Sequence, residues 1–143
     1  MDKSPERAFV APRPWRLALW LAFVISWTAA LLMPAPEQVA KALLVPFFMS
    51  RDEFKGMGQP LMVFSKSVHV AAYALFAILS GWLHVPWRSR WLLLVFLSLH
   101  GFGTEFFQNF VVSRHPSLRD VGLDHLGLAL GLALSWKWWL QKP

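Results

Sequence analysis

Glu105 and Gln108 stand three residues apart, Arg114 follows six later, Asp120 six later again, and Asp124 four beyond that. An earlier group, Lys66, His69 and Tyr73, has spacings of three and four. Such spacings stack side chains on one face of a helix. A histidine titrating near neutrality can act as general acid or base. Glu105 or Asp120 can orient it or serve as the base themselves. A guanidinium forks onto phosphate or carboxylate. His69, Glu105 and Asp120 are therefore the candidate catalytic residues, and Lys66, Tyr73, Gln108, Arg114 and Asp124 the candidate binding residues. Imidazole and carboxylate also suit a divalent metal. No contiguous metal motif supports one, and no metal or cofactor is assigned.

A structural reading competes. Carboxylates buried in a membrane must be paired, and Lys66 or Arg114 with Glu105, Asp120 or Asp124 would do that. Gln108 and Tyr73 would then be interhelical hydrogen-bond partners, worth about 1 kcal/mol each. The convergence of so many residue types at one depth favours a functional site.

The elements that position these residues are apolar. The chain has 143 residues, room for one domain, of which 56% are hydrophobic and 15% charged. Soluble domains carry about 25% charged residues, so the solvent is a bilayer. There is no cysteine, which excludes disulfides, cysteine metal sites and a thiol nucleophile. The formal charge is +6, but the basic residues sit at the ends of apolar runs, as membrane orientation requires. Nucleic-acid binding is discounted on that ground. No small-residue cleavage site follows the first apolar run, so no cleavable signal is expected.

The fold expected is all-α, a polytopic membrane bundle of four transmembrane helices. A cytoplasmic tail over residues 1–14 precedes a single transmembrane domain at 15–140, with crossings at about 15–33, 63–85, 91–112 and 119–140. Each is near the roughly 20 residues that span the hydrocarbon layer. Pro34 and Pro36 end the first, because proline cannot continue a helix. Residues 34–60 read first as a solvated linker, with a surface helix over Glu37–Phe48 and a polar loop at Arg51–Lys55 broken by Gly56, Gly58 and Pro60. A re-entrant lid over the site is the alternative. Ser65 is a candidate cap for the second crossing, and Ser117 with Asp120 for the fourth. Asp120, Asp124, Gly127 and Gly131 share one face, small and acidic, suited to a close helix contact. His84 and His115 fall in turns and read as solvated. His100 and His125 read as hydrogen-bonded packing.

Four crossings put the tail, the Arg88/Arg90 turn and the C-terminus on one side, with eight basic residues against two acids; the other side has six against six. Both termini are thus expected in the cytoplasm. Trp15, Trp82, Trp87, Trp91, Trp136, Trp138 and Trp139 fall near the same interface. Alternation of direction then gathers all eight site candidates at the outer end of the bundle.

These residues resemble the VanZ-like membrane proteins, a family named for low-level teicoplanin resistance. Its pattern of Asp-Lys, His and Tyr is matched by Lys66, His69 and Tyr73. Its Glu, Gln, Arg and Asp are matched with every spacing kept by Glu105, Gln108, Arg114 and Asp120. Its following Gly and Gly are matched by Gly127 and Gly131. The resemblance covers Ser65 to Gly131; the first crossing fits by hydropathy alone. Ser65 stands where the family has Asp, and Asp124 where it has Asn, which leaves Lys66 free to pair with Asp124. The resemblance implies a bacterial inner-membrane protein of the cell envelope and supplies no reaction.

Two functions compete, and whether the protein is an enzyme stays open between them. In the first, an outer-leaflet site recognises a lipid-linked or cell-wall-related ligand and affects glycopeptide susceptibility. Its partners would be membrane lipids and a lipid-linked envelope precursor or a glycopeptide. In the second, a small intramembrane hydrolase or transferase acts on a lipid-linked substrate through His, Glu and Asp. A proton path is disfavoured, because the inner halves of the helices offer little beyond Ser80, Ser98 and Ser135.

Overall fold

Prolines and capping residues divide the described residues into six helices: α1 Pro14–Leu31, α2 Pro36–Leu44, α3 Arg51–Gly56, α4 Gly58–Trp82, α5 Trp87–Gln108 and α6 Leu118–Leu140. The computed structural model describes residues 13–141 except 47 and 49, and no strand occurs among them. Most of the expected N-terminal tail, residues 1–12, lies outside the described residues, as do Phe47 and Lys142.

The helix boundaries follow local chemistry. Pro14 and Pro36 occupy the first turns of α1 and α2, where the missing N–H has no intrahelical partner to lose. The segment read as a polar loop at Arg51–Lys55 is instead helical. Ser50 Oγ accepts the Glu53 N–H at 3.2 Å while the Glu53 carboxylate accepts the Ser50 N–H at 2.6 Å, a reciprocal cap that satisfies two orphan donors. Gly58 and Pro60 do not break the chain either. They lie in the first turn of α4, where proline is tolerated. Ser65 consequently lies two turns inside α4 and caps nothing. The third crossing ends earlier than residue 112. The Asn109 side chain donates to the carbonyls of Glu105 and Phe106 and α5 closes at Gln108.

Residue pairings show that α4 and α6 run parallel: Lys66 meets Asp120, His69 meets Asp124, and Trp139 Nε1 donates to the Ala77 carbonyl at 3.2 Å. Gly127 and Gly131 permit this approach. A methyl group added at Gly127 would press on the Val70 carbonyl oxygen and lie 2.9 Å from Tyr73 Cβ, and one at Gly131 would press on the Ala74 carbonyl oxygen and lie 2.8 Å from Ala74 Cα. Small residues let two backbones come this close. Helix α5 joins the pair through Ser98 and His125 at 2.8 Å and through Tyr73 and His100 at 2.8 Å. Helix α1 docks through Trp20 Nε1, which donates to Ser80 Oγ at 2.9 Å. The core is Trp20, Tyr73, Phe76, Ala77, Leu83, Val85, Leu97 and Leu128.

Two helices, α1 and α4, are long and apolar enough to cross a membrane by length and composition, with mean hydropathies of 1.3 and 1.6. At 1.5 Å per residue, α5 and α6 reach about 33 and 34 Å, but charges interrupt them: Arg88, Arg90 and Glu105 in one, Arg119, Asp120, Asp124 and Lys137 in the other.

Three arginines cap helix C-termini across the bundle. Arg16 donates to the Trp82 carbonyl at the end of α4 at 2.8 Å. Arg90, 3% exposed, donates to the Val85 carbonyl at 2.8 Å and to the Trp139 carbonyl in the last turn of α6. Arg114 donates to the Ala30 carbonyl in the last turn of α1 at 2.7 Å and to the Met33 carbonyl just beyond it at 3.0 Å. The last carbonyls of a helix lack partners and carry its negative dipole end, so a guanidinium finds acceptors there without a carboxylate, although Arg16 Nε and Arg90 Nη2 stay buried and unbonded.

Candidate functional site

The second and fourth expected crossings, α4 and α6, supply most of the site because their register aligns two polar faces. Lys66 forms an ion pair with Asp120. One turn deeper, His69 Nδ1 lies 2.8 Å from Asp124 Oδ1, with His69 7% and Asp124 1% exposed. Asp124 in its ionised form can only accept, which puts the proton on Nδ1 and leaves Nε2 as the acceptor of a neutral ring. Among the described residues no side chain bonds Nε2. The expected pairing of Lys66 with Asp124 is therefore corrected. Asp124 lies too deep for it, and the Lys66 ammonium meets the carboxylate at its own level, Asp120.

Tyr73 and Gln108 each make an interhelical hydrogen bond. The Tyr73 hydroxyl meets His100 Nδ1, while His100 Nε2 meets Thr28 Oγ1 at 2.8 Å. Gln108 donates to the Leu31 carbonyl at 3.1 Å, joining Arg114 at the end of α1. Glu105, 6% exposed, accepts the Ser117 N–H at 2.6 Å. The expected Ser117–Asp120 reciprocal cap is thereby replaced. Ser117 Oγ accepts from the Arg119 N–H at 3.2 Å, Asp120 turns to Lys66, and the reciprocal acid comes from α5.

Beside these residues opens a cleft of ≈ 890 Å³. His69, Lys66, Asp120, Gln108 and Arg114 line it; Tyr73, Glu105 and Asp124 do not. Lys41 from α2 and Lys55 from α3 add to the wall, so four cationic residues and one carboxylate line the cleft; Lys66 pairs with that carboxylate, Asp120, and Lys55 pairs with Asp52 on its own helix at 3.0 Å. Leu61, Met62, Phe64 and Val68 supply an apolar side along α4. Burial lowers the Arg114 pKa from its usual value, an effect that Glu105 opposes.

The site thus divides. His69, Lys66, Asp120, Gln108 and Arg114 reach the cleft, Asp124 holds His69 from behind, and Glu105 and Tyr73 brace neighbouring helices. Among the described residues no group of three histidine, aspartate or glutamate side chains is placed to hold a metal ion, so His69, Glu105 and Asp120 do not form a ligand set. No protein-family model, curated protein or solved structure matches the chain.

Several participants are not evident from spacing. Trp27 lines the cleft, its ring 5.7 Å from that of His69 and edge-on. Thr28 and His100 form the hydrogen-bonded floor beneath Tyr73. Trp27 and Thr28 lie in a run recognised by hydropathy, and His100 reads as packing. The only available signal is polarity at the outer ends of those runs. His125 does pack through hydrogen bonds, to Ser98 and to the Val121 carbonyl. His115 is exposed on the cleft rim, whereas His84 is half-buried against Arg16, with Nδ1 2.7 Å from the guanidinium.

Proposed function

We propose that the chain is a VanZ-like integral membrane protein of the bacterial cell envelope. It crosses the inner membrane four times, with both termini cytoplasmic, and its outer-end cleft binds the anionic headgroup of a lipid-linked ligand. The observation that carries this reading is the composition of the cleft. Lys41, Lys55, Lys66 and Arg114 line it with a single carboxylate, Asp120, beside the apolar Leu61, Met62, Phe64 and Val68. Such a wall suits a ligand with a charged head and an apolar tail.

Other features support the topology. The bundle exterior exposes Leu19, Ile25, Leu92, Leu99, Phe102 and Leu134, side chains that hydrocarbon solvates without cost. Tryptophans gather at the opposite end from the cleft, where Trp15 packs edge-on against Trp82 at 5.0 Å and Trp87 against Trp91 at 5.5 Å. Indole prefers a membrane interface. Because α2 and α3 contribute to the cleft wall, residues 34–60 are better read as part of the site than as a linker.

Purified full-length protein in phosphatidylcholine nanodiscs should retain an added long-chain lipid phosphate in preference to a neutral lipid of equal chain length. Lys66→Gln should weaken retention about tenfold, the worth of one charge-assisted hydrogen bond. Equal retention of charged and neutral lipids by the parent protein would sink the reading. A protein that sequesters lipid-linked precursors also alters glycopeptide susceptibility, measurable by expressing the chain in a teicoplanin-sensitive host.

A further inference from the structure

The binding reading leaves one arrangement unused. His69 sits on the cleft wall with its inner nitrogen held by a buried carboxylate, while the carboxylate itself is shielded from the cleft. Lipid binding by charge needs neither the buried acid nor a fixed imidazole tautomer, because Lys66 and Arg114 already supply cations. Asp124 Oδ2 is buried and without a hydrogen-bond partner. An unsatisfied carboxylate oxygen at that depth destabilises the bundle, so the pair is poorly explained as packing alone.

We propose that the cleft hydrolyses a lipid diphosphate, with His69 as the general base and Asp124 as its positioning residue. This rests on the binding reading and names its substrate class. The carboxylate keeps the proton on Nδ1, leaves Nε2 free to accept, and stabilises the imidazolium once it forms. The cations address the substrate: Lys66 has three N–H donors and spends one on Asp120, and Lys41 lines the same cleft.

An anhydride suits a wall bearing one oriented base. A water oxygen forms a bond to the terminal phosphorus, and its proton passes to Nε2 of His69. The bond from that phosphorus to the bridging oxygen breaks, and its electron pair stays on the bridging oxygen. That oxygen leaves as part of a lipid monophosphate, a stable anion needing no proton from a separate acid. The water's second proton remains on the released orthophosphate, and His69 returns its proton to solvent through the open cleft. Cations near the phosphate oxygens stabilise the charge that develops.

The test uses full-length protein in phosphatidylcholine nanodiscs with a long-chain isoprenoid diphosphate as probe. Lipid retention and orthophosphate release are measured on the same samples. The parent protein is expected to bind the probe and release orthophosphate. His69→Gln should retain binding and lose release to background, which also controls for a contaminating phosphatase. Asp124→Asn should lower kcat about 10²-fold, within the range for an acid–base group, and leave KM unchanged; a merely structural role for Asp124 would instead reduce the folded fraction and the bound lipid together. Binding without release by the parent, or equal release by His69→Gln, overturns the proposal while leaving the binding reading intact. No binding by the parent overturns both. If His69→Gln does not fold, the parent's release and the kcat-against-KM behaviour of Asp124→Asn decide.

Discussion

Glu105 is the residue whose part changes most between sequence and structure. Its spacing to Gln108 marks it as a site acid, yet its carboxylate holds the Ser117 N–H at the start of α6. A carboxylate at a helix N-terminus meets both an orphan donor and the positive end of the dipole. Glu105→Gln keeps the shape and removes the charge, so α6 should fray from its N-terminal end; we expect faster amide exchange over residues 118–121. Glu53 is a simpler case at the exposed cap of α3. The Ser50 backbone N–H, then its hydroxyl, hold the Glu53 pKa below its ordinary 4.5. A depressed carboxylate pKa stabilises the fold above the unfolded value, and the contribution disappears as pH falls through the folded value. Amide protection over residues 51–56 should therefore be retained near neutrality and be lost on acidification below that ordinary value, and Glu53→Gln should remove this pH dependence.

Helices meet in this protein through two devices that spacing only half reveals. The first is the glycine contact of α6 on α4. Gly131→Ala places a methyl against the Ala74 carbonyl oxygen and 2.8 Å from Ala74 Cα, where no flexible side chain can yield. Overpacking of this kind costs about 1–3 kcal/mol, so thermal unfolding in detergent should occur at a lower temperature, with the α4–α6 ion pairs disrupted together. The second device is arginine at helix C-termini. Arg90 and Arg16 read in the sequence as topogenic charges, but their guanidiniums are committed to the carbonyls of Val85, Trp139 and Trp82. Replacing Arg90 with Met would orphan buried carbonyls, at about 1–3 kcal/mol for such a group. The expected readout is a lower unfolding temperature together with unchanged membrane orientation, because exposed Arg88 stays in the same turn.

The whole bundle makes a claim about sidedness that can be read directly. With no cysteine in the chain, a single introduced thiol reports without background. Ser113→Cys, in the turn beside the cleft, should react with a membrane-impermeant maleimide on intact cells. Ser89→Cys, near the start of α5, should react only after permeabilisation. The reverse pattern would place the cleft in the cytoplasm and remove the outer-leaflet reading. Equal labelling of both on intact cells would refute four crossings.

Apolar runs separated by proline and charge were enough to predict an all-helical chain, because helix formation in an apolar stretch depends on local backbone hydrogen bonding. The glycine face of α6 was legible for a similar reason, since Asp120, Asp124, Gly127 and Gly131 are positioned relative to one another by a single helical period. Pairing between helices was not legible. Whether Lys66 meets Asp120 or Asp124 depends on the axial register of α4 against α6, and that register is set by the contacts of Gly127 with Tyr73 and Gly131 with Ala74. The cleft depended on tertiary structure even more. Lys41 and Lys55 enter it only because α2 and α3 border the same cleft as α4, and Arg114 is positioned by two carbonyls more than eighty residues away. Periodicity therefore determined which residues share a face, and packing alone decided which faces meet, because side-chain partners are chosen by distance in space rather than along the chain.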